Sequence, residues 1–137
     1  MSETESNKEI IRRYLEQIWN QGNLAAADEF LSPYYIRHLA AAAAPLDREA
    51  QKQRVAGFRA AFPDVQLTID DLIAEGDRVA LRVTIRGTHR GKLLDIEPTG
   101  KSVAISALDI VRFENGKMVE HWGGPDLFAL MQQLQTP

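Results

Sequence analysis

The chain has no cysteine, which excludes disulfides, thiolate nucleophiles and Cys-ligated zinc or iron–sulfur centres. Its three histidines, His38, His89 and His121, are scattered and give no His-x-x-x-His spacing, so no metal site is expected. No apolar run approaches the roughly 18–20 residues of a membrane span; the longest low-complexity stretch, Leu39 to Ala44, is far shorter. Basic residues are not in excess: 16 Lys+Arg stand against 19 Asp+Glu, a net charge of −3. That balance argues against nucleic acid or an anionic membrane as the main partner. Met1 to Lys8 is polar and acidic without a secretory pattern, which with the missing cysteines fits the cytoplasm. A glycine-rich phosphate cradle and a serine elbow are both lacking. Cofactor-free acid–base chemistry or plain ligand binding remains.

What is present reads as one domain of 137 residues, 45% apolar and 26% charged, large enough for a core with a cavity inside it. Residues 1–6 are expected to be a flexible lead-in. Ser6 and Glu9 then fit a capping box, and Ile10, Ile11, Tyr14, Leu15, Ile18 and Trp19 form one helical stripe that ends at Asn20-Gln21-Gly22. A short helix over about Leu24–Leu31 stops at Ser32-Pro33. Tyr34–Leu46 stays open, because its Ala run favours helix while Pro45 interrupts it. A third helix starts at Asp47 and closes at Pro63.

The period then changes. Val65, Leu67 and Ile69 alternate with polar residues, as do Val79, Leu81, Val83 and Ile85, with Glu75-Gly76-Asp77 as the turn between. A third strand carries Val103, Ile105, Ala107, Asp109, Val111 and Phe113 on one face. Asn115-Gly116 signals a tight hairpin, and the return strand runs to Trp122, where Gly123-Gly124-Pro125 breaks it. Pro125 can open a last helix bearing Leu127, Leu130, Met131 and Leu134. The class is α+β, with helices laid over one face of a curved antiparallel sheet.

Asp109 is the clearest candidate for chemistry. It shares a strand face with Ala107 and Val111, so its carboxylate needs a partner, a raised pKa or a wet cavity; otherwise both faces are mixed and it points to solvent. His121 depends on register. Strict pairing from the Asn115-Gly116 turn sets it opposite Ile110, away from the Asp109 face, with Glu120 and Trp122 taking its place there. A single bulge would bring it onto that face. An imidazole beside a carboxylate makes a tunable base. His38, after Tyr34-Tyr35-Ile36, could line a pocket mouth. His89, at a strand end, is expected to be exposed. Trp19, Trp122 and Tyr14 are simplest as core, although aromatic walls also suit planar ligands. Asp126 falls in the first turn of the last helix, where the helix dipole favours a carboxylate. Gly91 and Gly100 read as turn glycines.

The order and spacing of several short motifs resemble the SnoaL-like polyketide cyclases, a branch of the nuclear transport factor 2-like superfamily. They are Trp19-Asn20-Gln21-Gly22-Asn23-Leu24, Ala61-Phe62-Pro63-Asp64, Ala74-Glu75-Gly76-Asp77, Gly87-Thr88-His89-Arg90-Gly91, Pro98-Thr99-Gly100-Lys101, Asn115-Gly116-Lys117, Glu120-His121-Trp122 and Gln133-Leu134. The resemblance implies a cone-shaped α+β barrel whose sheet wraps three N-terminal helices around a deep apolar pocket, and a homodimer packed sheet against sheet. It also implies intramolecular aldol chemistry driven by an acidic side chain at the pocket floor, without a cofactor. In this alignment the acid of the cyclases falls at Gly123, their pocket histidine at Asp109, and the Asp of a downstream Pro-Asp pair at Asp126.

The expectations are therefore an acid–base enzyme on a small or polycyclic carbonyl compound, with Asp109 as base at a raised pKa and His121 or His38 orienting it or the substrate oxygen. Tyr14, Trp19, His38, Trp122 and Asp126 are the substrate-binding candidates. A binder of an apolar small molecule is the alternative. A protein-interaction domain, with an exposed apolar patch and a filled interior, is the third.

Overall fold

The computed structural model describes residues 1–40 and 42–136. Helix α1 (Glu3–Tyr14) is capped by Ser2, whose Oγ accepts the Glu5 amide at 3.2 Å. The same Ser-x-x-Glu spacing as Ser6/Glu9 occurs one turn earlier, so residues 3–6 are helical rather than a flexible lead-in. A π-helical turn (Leu15–Asn20) continues α1 and keeps Leu15, Ile18 and Trp19 buried. A 3₁₀ segment (Leu24–Glu29) follows.

The first residues of the open segment, Tyr34–His38, belong to strand β1 (Leu31–His38), which also takes in the Ser32-Pro33 expected only to stop the short helix; of the Ala run beyond it, Ala41 lies outside the described residues. β1 is an edge strand, where Pro33 can be tolerated without an amide to donate. Helix α2 (Arg48–Ala61) starts at Asp47, whose Oδ1 accepts the Ala50 amide at 2.8 Å, and Pro63 follows its end. Then come β2 (Gln66–Glu75), β3 (Arg78–Thr88), β4 (Ser102–Glu114), β5 (Lys117–Pro125) and helix α3 (Leu127–Gln135).

The five strands form one sheet in the order β1-β5-β4-β3-β2. Every pairing is antiparallel except β1 with β5, so the sheet is mixed at that edge. Alternation along β3 and β4 buries Val79, Leu81, Val83 and Ile85, and Val103, Ile105, Ala107, Val111 and Phe113. Helix α1 packs on β2 and β3 and α2 on β1, closing the inner face. Where β5 ends, α3 covers the freed edge of β4: the Gln133 amide both donates to Ala104 O and accepts from Ala104 N at 2.9 Å.

Two features of β5 differ from a plain hairpin. Gly123-Gly124-Pro125 does not break the strand, because these residues stay in register with Asp109, Leu108 and Ala107. Phe113 faces Met118 while Arg112 already faces Glu120, so Val119 is an extra residue, a β-bulge. The Asn115-Gly116 turn has left-handed backbone at both positions, as a type I′ turn requires. Among the described residues no helix is long and apolar enough to cross a membrane.

Candidate active site

The bulge decides the site. With Val119 looped out of register, His121 falls opposite Val111 rather than Ile110 and turns to the inner face. There it meets Asp109 from the neighbouring strand: His121 Nε2 lies 3.6 Å from Asp109 Oδ2. Arg37, inward-facing on β1, reaches both, with Nη1 at 3.1 Å from His121 Nδ1 and Nη2 at 3.5 Å from Asp109 Oδ1. Its Nη2 also donates to Gly123 O at 3.2 Å. Tyr35, two residues before Arg37 and hence on the same face, places its hydroxyl 3.1 Å from His121 Nδ1.

A guanidinium has donors and no acceptor. His121 Nδ1 must therefore accept from Arg37, which leaves the ring proton on Nε2, directed at Asp109. Burial, then the Arg37 charge, hold the His121 pKa down to about 4 despite the neighbouring carboxylate, so the ring is neutral at physiological pH. For Asp109, burial pushes the pKa up, but the His121 N–H and the Arg37 and Arg54 cations outweigh it and the net shift is downward. The expected raised pKa is thus corrected: the carboxyl is sunk among donors, not isolated in an apolar wall. Burial raises the pKa of both Tyr14 and Tyr35, and the two phenols are neutral.

Asp109, His121, Arg37 and Arg54 share an enclosed, otherwise apolar cavity with Tyr14, Trp19, Leu81 and Met118. Its volume is about 40 Å³, room for one or two waters. A wider apolar cleft of about 700 Å³ opens between the ends of β1 and β5, Leu93-Leu94 and α3. Arg54, Phe58 and Pro125 line both spaces, so they form the partition between them.

Of the substrate-binding candidates, Tyr14 and Trp19 line the cavity; Gln51 Nε2 donates to the Tyr14 hydroxyl at 3.3 Å. His38 and Trp122 do not. Their strand positions alternate with Arg37 and His121, so they lie on the outer face of the sheet, where the two rings stack at 5.6 Å and His38 Nε2 is 2.8 Å from Glu120 Oε2. Asp126 is the N-cap of α3, its Oδ1 accepting from Ala129 N at 3.0 Å, and it sits exposed on the cleft rim. His89 is fully buried, not exposed. It stacks on Phe62, and Nδ1 accepts the Thr99 amide at 3.2 Å because the 90–101 loop folds back over it. Gly91 is a close-approach glycine: a Cβ there would stand 2.2 Å from Ala60 O.

Gly123 has φ +96°, and a Cβ on it would meet Leu108 O at 2.1 Å. No acidic side chain fits there without moving β4, which leaves Asp109 as the carboxylate of this cavity. Tyr35, Arg37 and Arg54 escaped notice in the sequence. Arg54 carried a signal, since Gln51, Arg54, Val55, Phe58, Ala61 and Phe62 fall on one helical stripe with a cation in its middle.

A curved five-stranded sheet with helices laid over its inner face is the nuclear transport factor 2-like fold. Within it, the model of the SnoaL-like polyketide cyclases matches residues 9–134, and the chain belongs to that family. The chain is 26% identical over 126 residues to nogalonic acid methyl ester cyclase of Streptomyces nogalater, covering 87% of this chain and 90% of that protein. Among solved structures, IdmH of Streptomyces antibioticus, a candidate polyketide cyclase, matches with TM-score 0.84 at 30% identity over 95% of this chain and 99% of its own. AclR of Streptomyces galilaeus, a candidate hydroxylase, matches with TM-score 0.82 at 30% identity over 95% and 86%.

Proposed function

We propose that this chain is a cofactor-independent acid–base enzyme acting on a small or polycyclic carbonyl compound of the polyketide kind, by aldol cyclisation or isomerisation. The observation that carries it is the Asp109–His121 pair: an ionised carboxylate and a neutral imidazole in one cavity, the imidazole turned to the face that holds Asp109 by the bulge at Val119.

Asp109 takes a proton from a carbon of the substrate. The cavity of about 40 Å³ admits only the reacting edge of a substrate whose rings lie in the cleft, with the Arg54, Phe58 and Pro125 side chains moving aside. The negative charge then passes from the carboxylate to the enolate oxygen beside it, so the local charge is conserved and the guanidinium field stays in place. In a cyclisation the enolate carbon bonds to a second carbonyl carbon, and Asp109 returns its proton to the resulting alkoxide. The His121 Nε2–H, which points at Asp109 in the resting site, turns to the substrate oxygen once Asp109 has taken up the proton. Arg37 is a positioning residue that fixes the tautomer and keeps Asp109 ionised. A carboxylate with a lowered pKa is a weak base, which restricts the reaction to carbons flanked by two carbonyls.

Asp109→Asn tests this on a panel of polycyclic β-dicarbonyl compounds. Turnover should fall about 10²–10⁴-fold, the usual worth of a general base, in a chain that keeps its folded circular dichroism spectrum while melting lower, because Arg37 loses its buried carboxylate partner. Unchanged turnover sinks the assignment.

A second reading, a non-catalytic binder of an apolar small molecule, is favoured by one observation: Gly123 has no space for an acid, and the remaining carboxylate is already paired to Arg37. Tight binding with no turnover on any compound of the panel would support it. For either function we propose a homodimer through the outer face of the sheet, where Ile73, Leu108 and Ile110 are exposed beside Trp122.

A further inference from the structure

The side chains around the cavity do not balance in charge. Arg37 and Arg54 are both guanidinium cations, and Asp109 is the one carboxylate among the lining residues. His121, Tyr14 and Tyr35 are neutral there. Asp109 is spent on Arg37, at 3.5 Å. Among the described residues no carboxylate stands within 4 Å of Arg54, and its Nη1 is buried without a hydrogen-bond partner. The guanidinium instead lies over the Trp19 ring, 5.7 Å from its centre. Burial and repulsion from Arg37 depress its pKa to about 10, which still leaves it charged.

A guanidinium nitrogen buried without an acceptor is costly, and Arg54 Nη1 is so placed on the apolar stripe of α2, beside a cavity lined by two cations and one carboxylate. We infer that Arg54 is a binding residue for an oxyanion, and that the ligand of this site carries a carboxylate, or a phenol or 1,3-dicarbonyl group ionised at oxygen. The position suits this. Arg54 is partly exposed and lines both the cavity and the cleft, so an apolar ring system resting against Leu39, Leu94 and Leu130 can present its anionic oxygen to the guanidinium. Asp126, the other charged group of the cleft, is engaged in capping α3. The inference rests on the cavity being a ligand site, as proposed above, and adds the charge of the ligand.

The test is a matched pair of probes, 2-naphthoate and 2-naphthamide, which share a shape and differ in charge. Calorimetry on the full chain should find the carboxylate bound about tenfold or more tightly than the amide. Arg54→Gln should bring the two within about threefold of each other by weakening the carboxylate alone, and Arg54→Lys should restore part of the preference. Equal affinities for the two probes in the wild type, or a preference that survives Arg54→Gln, would overturn the anion site and leave the acid–base proposal standing. Binding of neither probe would overturn it together with the ligand pocket. If Arg54→Gln does not fold, the wild-type ratio and Arg54→Lys still decide.

Discussion

The neutral state of His121 has a consequence for stability that can be worked through. In the unfolded chain its imidazole titrates near 6.5, whereas burial and the Arg37 charge hold it to about 4 in the fold. Between those two values the unfolded chain binds a proton that the native chain refuses. Stability therefore falls as pH drops through this window and is unaffected by His121 above it. At about 1.4 kcal/mol per pKa unit the total loss is about 3 kcal/mol, and most of it is gone by about pH 4.5. The Asp109 contribution has the opposite form: it is present above the ordinary carboxylate value and lost only at lower pH, as the depressed native pKa is crossed. The two effects thus separate along the pH axis. Urea unfolding from about pH 7 to 4.5 should show the wild-type midpoint dropping by about 1 M or more relative to His121→Gln. Slopes against pH are compared rather than absolute midpoints, since the substitution itself disturbs a buried site. Parallel profiles would refute the tautomer argument, because an imidazole titrating normally could not have Nδ1 committed to Arg37.

Gly123→Ala should destabilise the fold by at least about 2 kcal/mol, since a left-handed backbone and a collision with Leu108 O act together; a thermal melt within a degree of wild type would contradict it. Leu108→Glu should convert a dimer to a monomer in sedimentation without changing the circular dichroism spectrum. A wild type that is already monomeric, or a dimer that survives the charge, refutes the outer-face interface.

Much of this architecture was legible where side chains alternate cleanly. Val79 to Ile85 and Val103 to Phe113 announced β3 and β4, and Asn115-Gly116 announced their neighbour hairpin, because a half-buried sheet writes a period of two into the chain. β1 was not legible for the same reason inverted: its inward positions are Tyr35 and Arg37, its outward ones Ile36 and His38, so burial and hydropathy disagree. The apposition of Asp109 and His121 turned on one residue of register. Met118-Val119, two adjacent apolar residues between Lys117 and Glu120, both buried, were the trace of the bulge, but one interruption does not distinguish a bulge from an edge residue facing a helix. His89 was hidden by a different cause, since a loop that folds back can bury a residue that local sequence marks as a strand end.

The proposed chemistry requires Asp109 to move a proton at carbon. Deuterium exchange at the acidic C–H of a tetralone β-keto ester, followed by NMR in D₂O, measures that step without requiring the natural substrate. The wild type should accelerate exchange above the buffer rate, and Asp109→Asn should return it to that rate while remaining folded. Exchange that is equally fast with Asp109→Asn would contradict the assignment of Asp109 as the base.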